Sequence, residues 1–226
     1  MRCIAIYDLD RTVLRRATFT PFLSFAARKA APWRMALMPV WIGAMAAYKL
    51  GLIERGRLKA FGLRLFLGSS CTATQLDRLG RNFADRILPQ WLAPGAALAI
   101  ERDRADGCRL VLATAAMDFY AAPLAEHLGF DAVLATRTGP LTDAGRVRLD
   151  GRNCYGAEKV VRMQQWLDHG QIAREDCSIR FYSDSLSDAP LLEWADEAIL
   201  VNAGPADSRH ARDRGWRVER FQAGRR

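Results

Sequence analysis

The stretch Ile4-Ala5-Ile6-Tyr7-Asp8-Leu9-Asp10-Arg11-Thr12-Val13 is an apolar run that ends abruptly in two carboxylates and a hydroxyl. A run of this length near the N-terminus, broken by charge, reads as a buried parallel strand. Asp8 and Asp10 then fall where the strand ends, and in open α/β sheets ligands bind at the carboxyl ends of strands. Two aspartates one residue apart after a strand are also the mark of a turn leading into a helix N-cap. The choice between chemistry and punctuation depends on what the rest of the chain brings to the same sheet edge.

The segment that follows has no strand-like run. Thr20-Pro21 predicts a helix cap with proline at the first helical position. Helical patterns then continue to about Leu88, punctuated by Pro32, Gly51, Gly56 and Gly68-Ser69-Ser70. Residues 15–90 therefore read as an all-helical insertion of four or five helices, leaving 1–14 and 91–226 for an α/β core. Within the insertion, Met35 to Tyr48 carries no charge and is flanked by Arg34 and Lys49. A membrane-spanning helix needs roughly 20 apolar residues, so this segment is short for a crossing. Trp33, Trp41 and Tyr48 suit a helix lying at a lipid interface; a core helix of the insertion is the plainer expectation.

From Pro94 the pattern alternates. A helix to Ala105 leads to a strand Cys108–Ala113 that ends at Thr114. A helix Asp118–Leu128 closes at Gly129, and a strand Ala132–Ala135 follows. Thr138-Gly139-Pro140 through Asp150-Gly151 has the chemistry of a small hairpin around Asp143-Ala144-Gly145. A helix Ala157–His169 precedes a strand Ser178–Tyr182 that runs into Ser183-Asp184-Ser185-Leu186-Ser187-Asp188, and a last strand Ala198–Val201 precedes a C-terminal helix and a short strand near Trp216. Such alternation predicts a doubly wound parallel sheet with right-handed crossovers. Asp8 and Asp10, Thr114, and Asp184 and Asp188 then end three strands on one edge.

Composition sets the broader bounds. Of 226 residues, 50% are hydrophobic and 26% charged, with a net charge of +8 carried mostly by arginine; the only lysines are Lys29, Lys49, Lys59 and Lys159. A basic balance favours anionic partners: phosphate esters, an acidic membrane surface or nucleic acid. The arginines are not interleaved with aromatics as a nucleic-acid stacking platform requires, so no nucleic-acid partner is expected. Cys3, Cys71, Cys108, Cys154 and Cys177 are scattered without a C-x-x-C pair, which predicts reduced, mostly buried thiols rather than disulfides or zinc ligands. The charges at Asp8 and Asp10 interrupt the N-terminal apolar run before it could serve as a secretory signal, which predicts a cytoplasmic protein.

Four carboxylates gathered in one cleft repel one another and call for a cation. All-oxygen ligands favour a hard ion, and Mg²⁺ binds one or two carboxylates while keeping waters and phosphate oxygens. With the Thr114 hydroxyl and the Lys159 ammonium, the set describes a phosphoryl pocket, whose chemistry rests on positioning and charge neutralisation.

In this order and spacing, Asp8-Leu9-Asp10-Arg11-Thr12, Thr114 after an apolar strand, Lys159, and Asp184 through Asp188 resemble the four motifs of haloacid dehalogenase superfamily phosphatases. The resemblance is to the branch with a helical cap inserted after the first motif, as in phosphoserine phosphatase-like proteins. It implies that Asp8 is a nucleophile forming an aspartyl-phosphate, that Asp10 is the general acid and base, and that Thr114 and Lys159 bind the phosphoryl group. It further implies that Asp8, Asp10, Asp184 and Asp188 make up the Mg²⁺ site, Asp10 through its backbone carbonyl, and that Thr12 orients Asp10. Dehalogenating relatives lack a second acid, so Asp10 points to an alcohol leaving group and hence to a phosphomonoester.

The chain also departs from the pattern. Phosphoserine phosphatases carry a glutamate five residues after the motif threonine, where this chain has Ala17; together with Arg11, Thr12, Arg15 and Arg16 as candidate substrate contacts, this predicts an anionic or apolar substrate rather than an amino acid's ammonium. Cys154, before Lys159, has no sequence neighbour to pair with. The expected activity is Mg²⁺-dependent hydrolysis of a small organic phosphate ester. The alternatives are a lipid-linked phosphate at a membrane surface, phosphoryl transfer to an acceptor alcohol, and a basic binding protein without activity.

Overall fold

The computed structural model describes residues 1–68, 71–140 and 147–222. The expected hairpin turn at Asp143-Ala144-Gly145 and the Ser69-Ser70 break lie outside the described residues.

The apolar start of the chain forms strand β1 (Arg2–Tyr7), with Ile4 through Tyr7 fully buried. Its alternation feeds two cores. Ala5 and Tyr7 join one cluster of buried side chains, while Ile4 and Ile6 join another on the opposite face of the sheet. Strands β2 (Arg109–Met117), β3 (Ala132–Thr138), β4 (Leu149–Asp150), β5 (Cys177–Ser183), β6 (Glu197–Val201) and β7 (Arg217–Glu219) complete a sheet in the order β4-β3-β2-β1-β5-β6-β7. All neighbours are parallel except β3 and β4. β1 therefore lies at the centre, flanked by β2 and β5, so the acid-bearing ends of β1 and β5 are adjacent; Thr114 does not end its strand as expected, since β2 continues past it to Met117 with a register shift after Ala113.

Between β1 and β2 come helices α1 (Phe19–Ala30), a 3-10 turn Pro32–Leu37, α2 (Met38–Lys49), α3 (Arg55–Leu67) and α4 (Ala73–Trp91), followed by α5 (Pro94–Ala105). Helices α6 (Asp118–His127), α7 (Ala157–His169), α8 (Ala189–Trp194) and α9 (Pro205–Asp213) alternate with the remaining strands. A full capping box between Thr72 and Gln75 starts α4, and Gly129 at φ 68° ends α6 in a conformation that glycine adopts without penalty.

Three further expectations are corrected. The cap of α1 is Thr18, not Thr20, and its hydroxyl bonds no helix amide but the Asp10 carboxylate. The uncharged segment does not form a core helix: it is split between the 3-10 turn and α2, where Trp41 is the buried residue. Cys3 and Cys108 are disulfide-bonded, with Cα atoms 4.4 Å apart. Ile4 pairs with Arg109 across β1 and β2, so the cysteines that precede each face one another despite a sequence separation of 105. Cys71, Cys154 and Cys177 are free and buried, as expected. Among the described residues no helix is long and apolar enough to cross a membrane.

Candidate active site

The site grows out of the turn after β1. The Asp8 amide still bonds the Tyr182 carbonyl on β5 at 2.9 Å, so the sheet holds its backbone. The chain then doubles back: the Val13 and Leu14 amides reach the carbonyls of Asp8 and Leu9, and Arg11 takes a left-handed conformation at φ 64°. For a non-glycine residue that conformation costs about 1 kcal/mol or more. It is braced by Asn202, whose side-chain amide donates to the Arg11 carbonyl at 2.9 Å. The tight turn brings Asp8 and Asp10 to the mouth of one cleft of about 250 Å³, which they line together with Thr114, Lys159, Asp184 and Asp188.

Lys159 enters from the first turn of α7 and is 1% exposed. Its ammonium donates to Asp8 Oδ1 at 2.6 Å and to Asp188 Oδ2 at 2.7 Å. Ser183 also donates to Asp188 Oδ2, which leaves Asp188 Oδ1 buried without a partner. Burial pulls the Lys159 ammonium down, but the two carboxylates outweigh it and hold the group charged. Burial likewise drives Asp8 up to about 8 against the pull of Lys159, with Asp188 and Asp184 pushing the same way. Asp184 is raised to about 6 by burial, opposed by Arg11.

The role that the motif implied for Thr12 is taken by Thr18. Thr12 is fully buried and its hydroxyl makes no hydrogen bond to Asp10; it accepts from the Asp184 amide at 2.9 Å and lies 3.5 Å from Asp184 Oδ1. It ties the β1 and β5 loops together. Asp10 is instead held by Thr18, whose amide and hydroxyl donate to Asp10 Oδ1 at 2.9 and 2.8 Å. Burial raises the Asp10 carboxyl and these two bonds lower it. Thr114 is 1% exposed and fixed by accepting from the Ala116 amide at 3.0 Å.

Of the candidate substrate contacts, only Arg11 lines the cleft. Thr12 is sealed below it. Arg15 donates to the Leu92 carbonyl, and Arg16 lies over the Trp91 ring, both directed toward the end of α4. Ala17 does line the cleft, beside Arg55 and Tyr155, whose guanidinium and ring stack at 3.7 Å. The mouth is thus edged by two arginines, with an alanine where the resemblance would place a glutamate.

Lys59, on α3, escaped the sequence reading. It is 6% exposed and donates to the Ala115 carbonyl, to Asn153 Oδ1 at 2.5 Å and to Thr136 Oγ1 at 3.5 Å. These acceptors are neutral, and burial lowers the ammonium to about 7 although Asp10 favours its charge. The one local sign of it was the scarcity of lysine in the chain. Cys154 is pushed up to about 11 by burial, the state of an inert thiol.

A hard cation fits this donor set. Asp188 Oδ1 is an orphaned buried carboxylate oxygen, and Asp8 and Asp184 supply further carboxylates. Among the described residues no group of three or more acidic, histidine or cysteine side chains is arranged to hold a metal ion by itself. Mg²⁺ does not require one, since it keeps several waters or substrate oxygens.

A family model described as haloacid dehalogenase-like hydrolase matches residues 5–193. The chain belongs to this family. It is 33% identical over 196 residues to protein CicA of Caulobacter vibrioides, covering 86% of this chain and 83% of that protein. It is 25% identical over 224 residues to the phosphoserine phosphatase SerB1 of Mycobacterium tuberculosis, covering 98% of this chain and 71% of that one. A protein of unknown function from Bordetella pertussis has a similar structure, with a TM-score of 0.86 and 30% identity over 97% of this chain and 98% of that one. This haloacid dehalogenase-like hydrolase is an enzyme, and the second of these relatives is named a phosphatase.

Proposed function

We propose that the protein hydrolyses a small phosphomonoester with Mg²⁺, through a covalent phosphoryl group on Asp8. The observation that carries this reading is the buried Asp8–Lys159–Asp188 cluster, in which the ammonium binds both carboxylates within 2.7 Å. Residues 15–90 then act as a helical cap over the core formed by 1–14 and 91–226.

The substrate phosphoryl group enters between Asp8, Thr114 and Lys159. Lys159 and the Thr114 hydroxyl bind its oxygens, so Asp8 can attack phosphorus in line with the ester oxygen. Asp10, held by Thr18, gives its proton to the departing alcohol. It then takes a proton from the water that hydrolyses the acyl phosphate and regenerates Asp8. Asp8 and Asp184, with the Asp10 carbonyl, would hold Mg²⁺, supported by Asp188; the ion supplies charge neutralisation of the carboxylates and phosphoryl oxygens. Arg11 and Arg55 at the mouth, with Ala17 between the elements that carry them, favour a substrate whose alcohol portion is anionic or apolar. Water is the acceptor in this reading; an alcohol acceptor is the second outcome that product analysis would reveal.

The test is hydrolysis of p-nitrophenyl phosphate, followed by a panel of phosphate esters. Activity that needs Mg²⁺ and falls at least about a thousandfold in Asp8→Asn supports the mechanism. Turnover of Asp8→Asn close to wild type rules it out.

A further inference from the structure

Helix α2 is apolar on the side that faces solvent. Its inward edge is marked by Trp41, 1% exposed, whereas Pro39, Val40, Ile42, Gly43 and Ala46 on the other half of the turn are exposed. Val40 and Ile42 are 51% and 56% exposed. A surface helix of a soluble domain ordinarily presents polar residues there. The apolar surface continues at both ends: Trp33 before the helix is 66% exposed, and Leu50 and Leu52 after it are each 75% exposed. The Arg34 guanidinium lies over the Trp33 ring at 4.8 Å. A helix of 12 residues is about 18 Å long, too short to cross a hydrocarbon core of about 30 Å but well suited to lie along its boundary.

Charge selects the surface. No acidic residue occurs between Asp10 and Glu54, and residues 11–76 hold eleven lysines and arginines against the single acid Glu54. The net positive charge of the whole chain thus resides in the insertion, and the remainder is slightly acidic. Arg28, Lys29, Lys49, Arg57 and Arg64 on this insertion are exposed. Two copies packed through the face would bring two strongly basic insertions together, whereas an anionic bilayer would neutralise their charge.

We propose that the α2 face, from Trp33 to Leu52, docks the protein on an anionic lipid bilayer, with Val40, Ile42, Leu50 and Leu52 entering the headgroup boundary and the basic residues facing acidic headgroups. Binding strength at such an interface scales with apolar area and with attraction to anionic lipid. The inference goes beyond the phosphatase reading and does not depend on it.

The experiment is co-sedimentation of the full chain with vesicles of phosphatidylcholine alone or of phosphatidylcholine mixed with phosphatidylglycerol. Wild type is expected to partition onto the mixed vesicles, at least about tenfold better than onto the neutral ones. The double variant Val40→Asp/Ile42→Glu, and separately Leu52→Glu, should lose at least about tenfold of that partitioning. All three positions are solvent-facing, so thermal melting and hydrolysis of soluble p-nitrophenyl phosphate should match wild type. Equal partitioning onto both vesicle types, none onto either, or unchanged binding of the variants would overturn the proposal. A wild-type dimer in light scattering that the double variant dissolves would also overturn it, in favour of a second copy on this face. Vesicle binding by a protein with no phosphatase activity would overturn the catalytic reading and leave this one standing.

Discussion

Lys159 Nζ and Asp8 Oδ1 lie 2.6 Å apart with both residues buried, and the same ammonium reaches Asp188 at 2.7 Å. A single cation here holds two carboxylates that would otherwise repel in a dry pocket. Replacing it by Lys159→Met leaves both without their cation, which costs about 3 kcal/mol or more at pH well above the Asp8 value of about 8, where the carboxyls are charged. The loss should shrink as pH falls, because the stranded Asp8 carboxyl, already raised by burial, takes up a proton in the folded chain. Urea midpoints across pH, compared with wild type, check this; a pH-independent deficit would contradict it.

Thr18 and Thr12 should fail in different ways. Thr18→Val removes a hydroxyl donor to Asp10 and should lower kcat about tenfold, with the Mg²⁺ requirement unchanged. Thr12→Val removes the hydroxyl that fixes the Asp184 loop and should raise the Mg²⁺ concentration for half-maximal rate. Metal titrations of both variants separate the two effects; identical profiles would mean that the two threonines do not divide the work.

The arginines divide along the cleft. Arg11→Ala and Arg55→Ala, both at the mouth, should raise KM for anionic esters by about tenfold. Arg15→Ala and Arg16→Ala, directed at the end of α4, should leave kcat/KM within about twofold. Steady-state kinetics on one anionic ester decide the matter.

Lys59 carries a pH signature. Its folded value of about 7 lies below that of an exposed lysine, so between the two values the unfolded chain binds the extra proton and stability rises with pH. Below about pH 7 the cost of burying the charge is fully present. Wild type should therefore gain on Lys59→Met by about 1–3 kcal/mol between about pH 6.5 and pH 9. Denaturant midpoints at the two ends test it, and a constant gap would refute it.

The Cys3–Cys108 bond closes a segment of 105 residues. A loop of that size corresponds to up to about 4–5 kcal/mol in the chain-entropy account. Dithiothreitol should lower Tm by several degrees, and Cys3→Ser/Cys108→Ser should melt at the reduced temperature with no further response to reductant. A wild-type Tm indifferent to reductant would show that the pair does not form.

The local patterns of the chain were enough to read the alternation of helices and strands from Pro94 onward, the helical insertion, and the acids at the ends of β1 and β5. Apolar run length, glycine stops and charge at a strand end are properties of a few consecutive residues. Side-chain partners were not readable in that way. The motif threonine was expected to hold Asp10, yet Thr12 bonds Asp184 and Thr18 takes its place, because which hydroxyl meets a carboxylate depends on how the chain folds back after β1 and not on spacing along it.

By itself, then, the sequence determined a doubly wound α/β protein with Asp8, Asp10, Lys159, Asp184 and Asp188 at strand and helix ends and Thr114 on the strand between them in the chain, since period and punctuation are local. Only the tertiary structure decided that Lys59 enters the core beside Asp10, that Cys3 meets Cys108, and that the apolar α2 lies open to solvent. Each of these depends on which distant segments the strand order and helix packing bring together, and burial of a side chain is a property of its neighbours in space rather than of its neighbours in the chain.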